Sequence, residues 1–211
     1  MTLNPTPALL ENLYWITLIA VIVSSASAVL KAGFKKFDLF GVVIIAVATG
    51  LGGGSLRDML LDQDVFWIKD QIFFIVSLGS AFFIFLAARF IALSPQLFLI
   101  PDAAGLATFG IAGTLLSLMV GTPWLIASFM GVMTGTMGGI FRDILCNEPP
   151  MVFTSPLYAT VSWLGSLLFI GLLYIDINIS VATIIAGLGI FVSRLLALHY
   201  DINLPKFRFK E

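Results

Sequence analysis

The stretch Thr49-Gly50-Leu51-Gly52-Gly53-Gly54-Ser55-Leu56-Arg57-Asp58 returns once, as Thr134-Gly135-Thr136-Met137-Gly138-Gly139-Ile140-Phe141-Arg142-Asp143. The offset is constant at 85 positions (134 − 49 and 142 − 57). Over 49–61 set against 134–146, seven residues are identical. Each copy lies within or at the end of a long apolar run. Glycines that loosen a helix are therefore followed by an arginine at a depth where charge is costly, a pairing that points to function.

Working outward, the 211 residues are 59% hydrophobic and 11% charged, against roughly 25% charged in a soluble domain. The chain reads as an all-α integral membrane protein. A net charge of −1 offers no basic surface for nucleic acid, and no nucleic-acid partner is expected. The single cysteine, Cys146, excludes an internal disulfide and any cysteine-based zinc or iron–sulfur site. No metal site and no cofactor are expected. Met1 to Asn12 hold no Lys or Arg, so the first apolar run reads as a retained helix rather than a signal peptide.

At about 20 apolar residues per crossing, the sequence predicts seven transmembrane helices in one membrane domain, 1–211. Spans 13–32, 39–61 and 71–93 form a first repeat, 13–93. Spans 102–120, 125–146 and 156–174 form a second, 102–174. A seventh helix, 179–198, precedes a polar tail, 199–211. Tyr14, Trp15 and Trp124 stand at span ends, as interface aromatics do. Placing the N-terminus outside puts nine basic residues inside (Lys31, Lys35, Lys36, Arg89, Arg142, Arg194, Lys206, Arg208, Lys210) and two outside (Arg57, Lys69). That asymmetry predicts a cytoplasmic C-terminus.

Three helices per repeat is an odd number, so the two copies enter the membrane from opposite sides as an inverted repeat. Helices 2 and 5 are expected to kink at Gly52, Gly53, Gly54 and at Gly138 and Gly139. Freed carbonyls there would line a water-filled path between the repeats. Thr49, Ser55, Thr134 and Thr136 supply hydroxyls to such a path, and Arg57 and Arg142 line or latch it. Sequence neighbours on a helix do not face each other, so Asp58 and Asp143 are expected to pair with cations on other helices.

Glycines four apart (Gly50 and Gly54; Gly131, Gly135 and Gly139) also fit plain close packing. Their recurrence in register with Arg-Asp favours the pathway reading. Lys31 reads as an interface anchor that could also face a pore; Asp102, after Pro101, reads as an N-cap, with a pore-mouth carboxylate that concentrates cations as its functional alternative. His199 lies past the last span and Cys146 has no partner, so no catalytic constellation forms and no enzyme is expected. Gly50–Ser55 lacks the Gly-Lys-Ser/Thr ending of a phosphate loop.

The glycine run with Arg-Asp, its second copy, and Pro101-Asp102-Ala103-Ala104-Gly105-Leu106-Ala107-Thr108-Phe109 together resemble the trimeric intracellular cation (TRIC) channel family. Its bacterial domain also carries the name glycine transporter. The resemblance covers about residues 12–200. It implies a seven-helix subunit, a homotrimer in membrane lipid, and an ion path through each subunit where helices 2 and 5 kink. It implies potassium as the permeant ion, with some sodium, and the plasma membrane of a prokaryote. Animal members carry a Lys-Glu-Val segment tied to anionic lipid, and this sequence has none. A secondary transporter of a small zwitterion such as glycine shares inverted repeats and broken helices, and stays open as the alternative.

Overall fold

The computed structural model describes residues 6–88, 90, 94 and 96–205, which are arranged as helices and turns. Thr6 caps the first helix by accepting from the Leu9 N–H, and Pro7 fills the first position, where its missing N–H costs nothing. This helix, α1, runs Pro7–Ala32, starting well before the predicted residue 13. A 3-10 turn, Gly33–Lys35, closes it. Asp38 caps α2 (Leu39–Leu60) by accepting from the Gly41 N–H at 2.7 Å. The polar connection that follows folds into a single turn, α3 (Phe66–Lys69).

The first half ends with α4 (Gln71–Ala88). Arg89 and residues 91–93 of the third predicted span lie outside the described residues, as do Lys206, Arg208 and Lys210. The second half holds α5 (Leu99–Met119), α6 (Trp124–Leu145), the single turn α7 (Met151–Thr154) and α8 (Ala159–Tyr174). Asn178 then caps α9 (Ile179–His199).

Among the described helices, six are long and apolar enough to cross a membrane: α1, α2, α4, α5, α6 and α9. The predicted sixth span is shorter than expected. Residues 156–158 belong to a turn, which leaves α8 with 16 residues. That is about 24 Å of helix against a hydrocarbon core of about 30 Å.

Four helices make the centre. α5 packs on α1 and α6, and α2 packs on α1 and α6. α4 lies against α1 and α2, α8 against α5 and α6, and α9 against α5 and α8. Small residues set these distances. A Cβ on Gly50 would lie 2.3 Å from Ser25 Oγ, and one on Gly135 would lie 2.9 Å from the Leu106 carbonyl oxygen. The outward faces of α4 and α9 keep Phe82, Phe83, Ile184 and Leu188 exposed.

The glycine stretches do not break their helices. Both α2 and α6 run uninterrupted through Gly52–Gly54 and Gly138–Gly139. These glycines instead permit close approach. A Cβ on Gly53 would lie 2.2 Å from the Thr134 carbonyl oxygen, and one on Gly138 would lie 2.2 Å from that of Thr49. Gly52 makes room for the Phe141 ring and Gly54 for the Phe66 ring, since a Cβ on either would lie 2.5 Å from that ring. With the backbone bonded inside the helix, no carbonyl needs a watery lining, and the missing side chains let two helices touch backbone to backbone.

Candidate functional site

The crossing of α2 and α6 is reciprocal. Gly53 meets Thr134 while Thr49 meets Gly138, and each partner is the other's match at the 85-residue offset. Moving forward along α2 means moving backward along α6, so the two helices run antiparallel here. The arginine–aspartate pairs that follow repeat the same construction. Arg57 Nε donates to Asp58 Oδ1 at 2.8 Å, and Arg142 Nε donates to Asp143 Oδ1 at 2.9 Å. The other carboxylate oxygens accept the first N–H of the next short helix: Phe66 N to Asp58 Oδ2 at 2.9 Å, and Met151 N to Asp143 Oδ2 at 2.8 Å.

This corrects the expectation that each aspartate turns away from its neighbour. The long arginine side chain curls back at the helix end, where the carboxylate is already held by the next turn of chain. The expectation of a cation from another helix holds for Asp143, whose Oδ1 lies 2.7 Å from Lys31 Nζ on α1.

Around Arg142 the pair grows into a buried network. Arg142 Nη1 donates to Asp102 Oδ1 at 2.6 Å and to Ser27 Oγ at 2.7 Å. Tyr158 OH donates to the same Asp102 oxygen at 3.2 Å. Gly139 makes this possible, since a Cβ there would lie 3.0 Å from the Tyr158 hydroxyl. The Lys31 ammonium and the Arg142 guanidinium both lie over the Phe98 ring, at 5.0 and 5.2 Å from its centroid. Arg142 and Asp143 are fully buried, and Lys31 and Asp102 nearly so. The four charges cancel, as buried charges must to be tolerable.

Asp102 is therefore not a cap. The helix begins at Leu99, with Pro101 inside its first turn, and Asp102 turns inward. Its Oδ2 has no hydrogen-bond partner among the described residues. A small cavity of about 10 Å³ opens in this region, lined by Asp102, Ser24, Ser27, Thr49, Gly138 and Tyr158 among others. Arg142 lines it as well. Arg194 of α9 braces the tyrosine. Its guanidinium lies 4.5 Å from the Tyr158 ring centroid, and it donates to the Pro156 carbonyl and to Ser155 Oγ.

Of the hydroxyl residues expected to line a path, Thr49, Ser55 and Thr134 each donate to the carbonyl four residues back in their own helix. Thr49 also borders the cavity. Ser55 accepts from Trp67 Nε1 at 2.8 Å instead. Thr136 is buried. Tyr158, Ser27 and Arg194 belong to the site without having been assigned to it from sequence, and Lys31 and Asp102 belong to it although an anchor and a cap were the favoured readings.

The family model described as "Glycine transporter" matches this chain twice, over residues 14–89 and 99–174. The UPF0126 inner membrane protein YadS of Escherichia coli K12 is 34% identical over 201 residues, covering 94% of this chain and 97% of its own. The solved TRIC trimeric intracellular cation channel orthologue from Rhodobacter sphaeroides superposes with a TM-score of 0.86 at 30% identity, covering 90% of this chain and 98% of that one. The chain belongs to the TRIC family. A second solved structure, a prokaryotic TRIC channel in 0.5 M KCl, gives a TM-score of 0.83 at 31% identity over 92% of this chain. The two family-model matches stand 85 residues apart at their starts (99 − 14), the same offset as the motif. In this TRIC chain each match therefore covers one half of the four-helix centre.

Just outside the buried network, Glu148 Oε1 lies 2.7 Å from Lys35 Nζ and its Oε2 lies 3.0 Å from Lys31 Nζ. Hydrogen bonds from Lys35 and then Lys31 hold the Glu148 carboxyl below its ordinary range. A lowered carboxylate pKa contributes stability that is full above the unfolded value and is lost as pH falls through the folded one. Acidifying detergent-solubilised protein from about pH 5 to about pH 3 is expected to lower its apparent unfolding temperature. Glu148→Gln should flatten that dependence, and an unchanged slope in the variant would remove Glu148 as its source.

Proposed function

We propose that this chain is a potassium-permeable monovalent cation channel, working as a homotrimer with one ion path per subunit between two inverted repeats. The fold it shares with solved TRIC cation channels, over nine tenths of each chain, carries this reading. The reciprocal, antiparallel crossing of α2 and α6 supports the inverted repeat, because matched residues exchange matched contacts. An inverted repeat needs three crossings per half, and α8 completes the second half with help from the turns that flank it. The lysine and arginine distribution supports an outside N-terminus and a cytoplasmic C-terminus in a prokaryotic plasma membrane.

The mechanism follows from the charges. In the present arrangement Arg142 ties α6 to α5 through Asp102 and to α1 through Ser27. That lock sits on the cavity of about 10 Å³, which has room for about one water and no hydrated ion. Conduction requires the lock to shift. Releasing Asp102 from Arg142 frees a carboxylate, beside the Ser24, Ser27, Thr49 and Tyr158 oxygens, to replace part of a cation's hydration shell. The arginine is thus a latch and the aspartate the cation-facing group.

Planar-bilayer recording of purified protein in asymmetric potassium chloride tests this. Discrete current steps reversing near the potassium potential are expected. Electrical silence with saturable glycine uptake into liposomes would replace the channel with a carrier, the reading that the family description "Glycine transporter" favours.

A further inference from the structure

Beside the two arginines, the halves differ at a linked pair of charged positions. In the second half, Arg142 Nη1 meets Asp102, and Lys31 sits against Asp143. At the 85-residue offset, Thr17 stands where Asp102 would be and Leu116 where Lys31 would be. The first half therefore keeps its Arg57–Asp58 pair but has neither the second carboxylate nor the second cation.

The consequence is local and visible. Arg57 is 3% exposed, and its Nη1 has no hydrogen-bond partner among the described residues. Arg57 is among the residues that line a cavity of about 180 Å³. Thr17 and Leu116, the two substituted positions, both line that cavity, together with Tyr14, Leu13 and Phe73. Thr17 donates its hydroxyl hydrogen to the Leu13 carbonyl at 2.7 Å, so it does not stand in for the missing carboxylate.

We propose that this cavity is a binding site for a small monocarboxylate with an apolar body. The ligand's carboxylate takes the Arg57 Nη1 donor that Asp102 takes in the other half. Asp58 already holds Nε and Nη2 of Arg57, so Nη1 is the donor left for the ligand. A buried donor without a partner is costly, which favours any acceptor that reaches it. Arg57 is already neutralised by Asp58, and Leu116 supplies no counterpart to Lys31. Binding therefore draws on burial of the ligand's own apolar surface against Leu13, Phe73 and Leu116. That requirement selects an aromatic or short-chain acid over formate or chloride.

The test uses purified full-length protein in detergent, titrated with sodium benzoate, with sodium chloride at matched ionic strength, and with benzyl alcohol. A saturable rise in apparent unfolding temperature is expected with benzoate and with neither control. Thr17→Asp supplies a built-in carboxylate to Arg57 and should weaken benzoate binding by roughly 10- to 100-fold. Leu116→Phe fills the cavity without adding charge and should weaken it too, which keeps the test decisive if Thr17→Asp does not accumulate. An equal response to chloride would make this a general anion site and overturn the proposal. An equal response to benzyl alcohol would reduce it to an apolar hole. No saturable response, or undiminished binding in both variants, overturns it outright.

Discussion

Gly53→Ala and Gly138→Ala should each destabilise the protein by about 1–3 kcal/mol, the usual range for overpacking. For a chain of this size that lowers the apparent unfolding temperature by roughly 2–12 °C. The upper end is expected, because the added methyl would sit 2.2 Å from a backbone carbonyl oxygen of the facing helix. No rotamer change relieves such a contact, and α2 and α6 must move apart. The two contacts lie side by side at one crossing, so the second substitution finds the helices already separated. The double variant should therefore cost less than the sum of the singles. Gly79→Ala is the control. It lies in α4 with nothing within 4 Å of the added carbon, so it should be neutral or gain about 0.5–1 kcal/mol from helix propensity. Equal behaviour of Gly53→Ala and Gly79→Ala in a thermal scan would show that the crossing is not tightly packed.

Arg142→Leu is expected to be more damaging still. It leaves Asp102 buried with only Tyr158 as a hydrogen-bond donor, while Lys31 continues to balance Asp143. Breaking a buried ion pair from one side costs about 3–5 kcal/mol, or roughly 6–20 °C in apparent unfolding temperature. Removing both partners leaves no orphaned charge, so Arg142→Leu combined with Asp102→Leu should recover most of that loss. The recovered protein separates stability from function. If Asp102 faces the cation, the double variant folds but loses cation selectivity. If its recordings match the unsubstituted protein, Asp102 is a structural anchor alone.

The repeat was legible because it is self-similarity, and self-similarity survives without any knowledge of contacts. Its offset of 85 reappears as matched hydrogen bonds from Asp58 to Phe66 and from Asp143 to Met151. What the glycines do was not legible. A residue without a Cβ serves either an unwound backbone or a close approach, and only the facing helix decides which. For Asp102 the cap was favoured over a pore-mouth carboxylate because a proline just before an acid marks many helix starts. Here Phe98 and Leu99 open the helix early and carry the carboxylate inside. Lys31 resembled an anchor because it closes an apolar run, and its partner Asp143 is 112 residues away. Tyr158 left no trace at all. Its match at the 85-residue offset is Phe73, and the extra hydroxyl is the only difference between them.

That separation of 112 residues sets an order on the protein's birth. At synthesis rates of 5–20 residues per second, Asp143 follows Lys31 out of the ribosome by roughly 6 to 22 seconds. Throughout that interval α1 carries a lysine whose counter-charge does not yet exist, and α2 presents a glycine face with nothing to meet. The last-made helices of the central four therefore complete the first-made ones. A nascent chain that stops short of α6 is left with an uncompensated charge at the membrane, a defect that quality-control proteases are equipped to find.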